Sequence, residues 1–121
     1  METFAFRFEH GGQVLTYSGD TGESPVLVEL ARSADILLCE AGFPDQPGLP
    51  PGLHLTGRQA GRHASAAGAG HLILTHLYPD NDAALSLAEA QSTFQGPISL
   101  AAPGQVLSPA QPLPGSPPPA R

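Results

Sequence analysis

The first residues alternate. Phe4, Phe6 and Phe8 fall on one side of an extended chain and Ala5, Arg7 and Glu9 on the other, a period of two that predicts a strand. Gly11 and Gly12 follow, then a second extended run over 13–18 with Val14, Leu15 and Tyr17. Two glycines between such runs supply the positive φ values of a tight hairpin turn. At Ser24 and Pro25 the pattern becomes helical: Val26, Leu27, Leu30 and Ala31 recur at helical spacing up to Ser33, behind a serine cap and a first-turn proline. Residues 35–40 (DILLCE) are a compact apolar run of the buried-strand kind, and the glycine- and proline-rich stretch 42–52 reads as loop. Thr56 caps a second helix on which Ala60, Ala64 and Ala67 form a stripe that predicts close packing, and Gly68 and Gly70 end it. Residues 71–75 (HLILT) are another buried strand, Asn81 or Asp82 caps a third helix through about Phe94, and 97–102 (PISLAA) is a last strand.

The predicted order is ββαβαβαβ. Strands separated by helices imply right-handed crossovers and a largely parallel sheet after the hairpin, so the class is α/β. A chain of 121 residues has room for one domain, expected over 1–107. Residues 108–121 (SPAQPLPGSPPPAR), six of fourteen proline and none β-branched or aromatic, are expected to be a disordered or polyproline-like tail. Hydrophobic residues make up 40% of the chain, enough for a core, but 14 glycines and 14 prolines predict short elements. Eleven acidic residues against five basic ones, all arginine, give a net charge of −6, which argues against a nucleic-acid footprint built on charge alone. Cys39 has no intrachain disulfide partner, which fits a reducing compartment, and a cytoplasmic location is expected. No apolar run approaches the ~18 residues of a membrane-spanning helix. The start METFAFRFEHGG lacks the cationic lead and apolar segment of an export signal.

Three segments place a ligand-capable residue where an extended apolar run gives out: SGDT at 18–21, LHLT at 53–56 and LTHL at 74–77. In α/β sheets, strand ends are held rigidly while the loops beyond them carry polar side chains into a crevice. Asp20 and His76 both follow predicted strands, so their side chains can converge. A carboxylate oxygen and an imidazole nitrogen are suitable zinc ligands, and an aspartate can bridge two metals. Each taken alone has a plainer reading, the aspartate as a turn-former after glycine and the histidine as a hydrogen-bonded structural residue.

Taken together, YSGDT at 17–21, LLCEA at 37–41, LHLTGRQAG at 53–61 and LILTHL at 72–77 resemble, in order and spacing, the C-terminal half of the metallo-β-lactamase-fold hydrolases. The resemblance is to their ribonuclease Z-like branch. It implies that the chain is one half of an αββα sandwich. It further implies that Asp20 is a metal-bridging carboxylate, His76 a terminal metal ligand, His54 the active-site histidine that donates a proton or hydrogen bond to the reacting group, and Glu40 a catalytic neighbour that orients either a metal ligand or that histidine. The implied cofactor is a pair of zinc ions, and the implied reaction is hydrolysis of an ester or phosphodiester. Small-molecule substrates suit the acidic, lysine-free composition better than tRNA. The resemblance also has a gap: the family's His-x-His-x-Asp-His motif is absent from this sequence, so the chain is expected to be inactive alone. It would then require a missing N-terminal half, or else act as a non-catalytic interaction protein or self-complementing homodimer using the half sheet and the Pro-rich tail. An exposed apolar sheet face, on the Phe4, Phe6, Phe8 side or its opposite, is the expected mark of that missing cover. His10, His63 and His71 are expected to be solvated or core-edge imidazoles, Cys39 a small hydrophobe, and Asp80 and Asp82 cap or loop residues.

Overall fold

The computed structural model describes residues 4–43, 48, 54–77, 79 and 82–106. Most of the expected loop, Asp80, Asn81 and the Pro-rich tail lie outside the described residues. Within them the elements are β1 (Phe6–His10), β2 (Gln13–Tyr17), α1 (Pro25–Leu30), β3 (Ile36–Glu40), α2 (Gly57–Ala67), β4 (Leu72–Thr75), α3 (Ala83–Gln91) and β5 (Ile98–Leu100). The sequence predicts this order. The hairpin turn has both glycines at positive φ, 58° and 78°. Ser24 accepts a hydrogen bond from Leu27 N and caps α1. Thr56 and Gln59 form a reciprocal capping box on α2, and Asp82 caps α3.

Two helices stop short of their predicted ends. α1 closes at Leu30 because the chain tightens, with Arg32 N bonded to Glu29 O and Ala34 N to Ala31 O, and Ser33 takes a left-handed φ of 56°. α3 closes at Gln91; Phe94 is apolar because it packs into the core from the turn beyond the helix, not because the helix continues. The strands are likewise trimmed at their ends, β1 beginning at Phe6 and β5 ending at Leu100.

The five strands lie in the order β1-β2-β3-β4-β5. β1 pairs antiparallel with β2, and the remaining neighbours pair parallel. Parallel strands added in one direction, each through a right-handed crossover, carry all their connecting helices on one face of the sheet. Register divides the side chains accordingly. Leu37, Cys39, Leu72, Leu74, Ile98 and Leu100 share the face that packs on Leu27, Ala31, Ala60, Ala64, Ala90 and Phe94 in one core. On this face Arg7 of the edge strand donates to the carbonyls of Leu30 and Arg32 at 2.8 and 2.9 Å, tying the hairpin to the end of α1. The alanine stripe of α2 packs as expected, and α2 also meets α3 at backbone range: a Cβ on Gly57 would strike the Ser86 carbonyl, and one on Gly61 the Thr93 hydroxyl.

The opposite face carries Phe6, Phe8, Leu15, Tyr17, Ile36, Leu38 and Ile73 in cross-strand register, none of which belongs to the helix-covered core. Toward the β1 edge it is open to solvent: Phe4, Phe6 and Phe8 are 66%, 50% and 56% exposed. No helix among the described residues is long and apolar enough to cross a membrane.

Candidate metal centre

Because β2, β3 and β4 are consecutive and parallel, their C-terminal ends form one rim, and the candidate residues stand along it. Asp20 lies just past β2, in a loop entered through Gly19. That glycine has a φ of 61°, and a Cβ there would strike the Phe4 carbonyl, so the turn that presents Asp20 needs glycine. Glu40 is the last residue of β3. His76 follows β4 directly and holds a φ of 56°, uncommon for a residue with a side chain and typical of functional positions held by their surroundings. His54 precedes the Thr56 cap of α2.

The structure brings all four together. One ligand atom each of Asp20, Glu40 and His76 lies within 4.8 Å of the other two. Asp20 Oδ1 is 2.9 Å from His76 Nδ1, both side chains being roughly half-exposed. Glu40 is buried, 1% exposed, and both its oxygens are engaged: Oε1 accepts from Thr21 N at 2.6 Å, and Oε2 sits 2.9 Å from His54 Nδ1. A carboxylate only accepts, so His54 Nδ1 carries the proton in this pair. Phe43 packs edge-on against the His54 ring at 5.6 Å, and the His54 and His76 ring centroids are 6.1 Å apart.

Ser18 stitches the rim from beneath. Its backbone N–H donates to Leu38 O, and its buried hydroxyl accepts from Glu40 N and donates to Gly19 O. Cys39, on the helix-covered face, has its thiol pushed up to about 12, first by burial and further by the charge of Glu40, with the Ser18 hydroxyl opposing. At neutral pH it is an inert thiol, as the sequence suggests.

The donor set is chemically suited to zinc or a similar divalent ion. Glu40 is buried with each oxygen already facing a donor, whereas the half-exposed Asp20 and His76 are the two side chains better placed to turn to an ion. Two ligands fall short of the three protein ligands that a catalytic zinc site keeps. The set therefore fits part of a metal centre.

The model of the family described as a beta-lactamase superfamily domain matches residues 1–77. The chain belongs to that superfamily. It is 43% identical over 105 residues to an uncharacterized protein of Mycobacterium leprae, spanning 86% of this chain and 37% of that one. It is 42% identical over 94 residues to ribonuclease Z of Myxococcus xanthus, spanning 74% of this chain and 31% of the enzyme. The crystal structure of the metallo-beta-lactamase fold protein YhfI from Bacillus subtilis superposes with a TM-score of 0.80 at 32% identity, covering 86% of this chain and 43% of that one. This superfamily member thus spans less than half the length of each of these three relatives.

Three features of the rim, and the surroundings of His63 and His71, were not read from the sequence. The Thr21 N–H that holds Glu40 is a backbone group, and the Phe43 ring against His54 lies in a stretch read only as loop. Ser18 is a neutral side chain with no pattern of its own. His63, expected to be solvated or at the core edge, is buried, with Nε2 accepting from Ser24 N at 3.0 Å and Nδ1 2.7 Å from Gln59 O. His71 is also buried, 3.0 Å from the Ser99 hydroxyl, and burial pulls its pKa down. His10 is exposed, as expected.

Proposed function

We propose that this chain supplies one side of a two-zinc hydrolase centre of the metallo-β-lactamase fold. Asp20 is its bridging carboxylate, His76 a terminal ligand, His54 the group that protonates or hydrogen-bonds the reacting oxygen, and Glu40 the residue that orients His54. The observation that carries the reading is the convergence of Asp20, Glu40 and His76 within 4.8 Å at a rim where His54 also stands. Zinc held there supplies Lewis-acid polarisation and activation of water. This chain's own part is to hold Asp20 and His76 side by side and to fix the His54 ring by its Nδ1–H on Glu40, which directs Nε2 to the chemistry; Nε2 donates there when the ring carries both protons.

The remaining ligands come from outside this chain, which has no His-x-His-x-Asp-His, so the chain alone is inactive. The open Phe6 and Phe8 face marks where the covering half docks, by sheet-on-sheet packing. The substrate is a small ester or phosphodiester. Ribonuclease Z kinship also brings tRNA into view, but a net charge of −6 without lysine supplies no phosphate-tracking surface, so a grip on RNA would come from outside this chain. A second reading, a non-catalytic self-complementing dimer through the half sheet, is favoured by the same exposed phenylalanines.

The experiment is a cobalt(II) titration of the chain followed by NMR line broadening, which detects weak sites. Broadening centred on Thr21, Glu40 and Leu77, abolished by Asp20→Ala and by His76→Ala, is expected. Broadening centred elsewhere, or indifferent to both substitutions, sinks the metal reading and leaves the dimer.

A further inference from the structure

The loop 19–23 that presents Asp20 is anchored at its start by Ser18, bonded to Leu38 O and Glu40 N. Its far end is Ser24, the cap of α1, and what holds that end lies on α2. His63 Nε2 accepts the Ser24 N–H at 3.0 Å. The other ring nitrogen faces the Gln59 carbonyl at 2.7 Å. A backbone N–H only donates and a carbonyl only accepts, so the two partners fix the ring as the neutral Nδ1–H tautomer and lock its orientation.

Gln59 stands one turn before His63 on the same side of α2 and makes the second tie. Its Nε2 donates to Glu23 Oε1 at 3.0 Å, while its Oε1 accepts from Thr56 N at 2.9 Å, two residues from His54. One side of α2 thus grips the end of the Asp20 loop and, through the capping box, the segment that carries His54.

We propose that His63 is a positioning residue of the centre: by holding Ser24 it sets the loop that places Asp20 against His76 and Thr21 N–H against Glu40. This rests on the reading of Asp20 and His76 as metal ligands. A cavity of about 290 Å³ lined in part by Ser24, Val28, Arg62 and His63 adjoins the ring, so a leucine in its place has room.

The test compares His63→Leu, which removes both hydrogen bonds, with His63→Gln, whose amide can accept and donate in their place, in the full chain. One readout is amide exchange at Thr21 and Ser24, and the other is cobalt(II) affinity from line broadening. In the leucine variant exchange at both amides accelerates about tenfold, the size of one typical hydrogen bond, cobalt affinity falls by a similar factor, and exchange at Leu38 and Ile73 in the central strands is unchanged. The glutamine variant recovers most of both effects. Parent-like exchange in the leucine variant, or acceleration spread equally over the central strands, overturns the proposal, the latter by showing a loss of global stability alone. If Asp20→Ala leaves cobalt binding intact, the metal reading has failed, and the Thr21 and Ser24 exchange rates still decide whether His63 sets the loop.

Discussion

Replacing Glu40 tests the rim most directly, because one buried carboxylate holds two donors from different elements. Glu40→Ala removes the acceptors of Thr21 N and His54 Nδ1, now at 2.6 and 2.9 Å. A donor stripped of its partner costs ~1–3 kcal/mol, and charge-assisted bonds stand at the upper end. Both donors are only part-buried, so water recovers some of the loss, and the cost of burying the carboxylate itself disappears. A net destabilisation of about 2 kcal/mol follows. Glu40→Gln keeps an oxygen for Thr21 but turns an NH₂ toward the His54 N–H, a donor facing a donor. The ring resolves this by moving its proton to Nε2, and the cost is about 1 kcal/mol, one ordinary hydrogen bond. With a urea slope of ~2 kcal/mol/M, the unfolding midpoint drops by about 1 M for alanine and about half that for glutamine. Imidazole nitrogen shifts by NMR report the tautomer, with Nδ1–H in the parent and Nε2–H in Glu40→Gln. Midpoints equal to the parent, or a His54 tautomer indifferent to the substitution, would refute the assignment of Glu40 as the group that fixes the ring.

Gly61→Ala sets a Cβ against the Thr93 hydroxyl and 2.7 Å from the Ala90 carbonyl; overpacking of this kind costs ~1–3 kcal/mol, so the melting temperature falls by several degrees, and an unchanged melt contradicts the close α2–α3 approach. Burial lowers the His71 pKa below its ordinary 6.5, so the unfolded chain takes up this proton first as the pH falls. It therefore binds more protons than the native state between the two values, and stability is lost as the pH drops below about 6.5 toward the lowered native value. His71→Gln flattens that slope in urea titrations, and an equal slope in both proteins removes His71 as its cause. Phe6→Ser with Phe8→Ser lowers binding of an apolar dye and any self-association seen by sedimentation; undiminished dye binding means that the open sheet face is not the sticky one.

Much of the architecture was legible because each element announces itself locally. The Phe4, Phe6, Phe8 alternation, the Gly11-Gly12 turn and the Thr56 cap are short-range signals, and short-range physics satisfies them. The helix ends were overshot where an apolar residue serves the core from a turn, as Ala31 and Phe94 do. The same limit governs the site. Asp20 and His76 could be paired because strand ends converge in a parallel sheet. His63 could not be distinguished from a surface histidine, since what buries it and gives it Ser24 N as a partner is the approach of α2 to the loop before α1. A helical periodicity does not encode which loop its polar residues will meet.

The register also decides on which side of the sheet the site opens. Glu40 pairs with Thr75 and stands two residues after Leu38, so its side chain leaves the sheet on the face of Leu15, Ile36, Leu38 and Ile73, away from the helix-covered core. The carboxylate that gathers Thr21 and His54 thus belongs to the face that carries the exposed phenylalanines. In the proposed function, the missing cover and the missing ligands are for this reason one requirement. A body that packs on the apolar face reaches the rim at Glu40 without bending round a strand, and can bring its own metal-binding side chains to Asp20 and His76 from the side that, among the described residues, the helices do not cover.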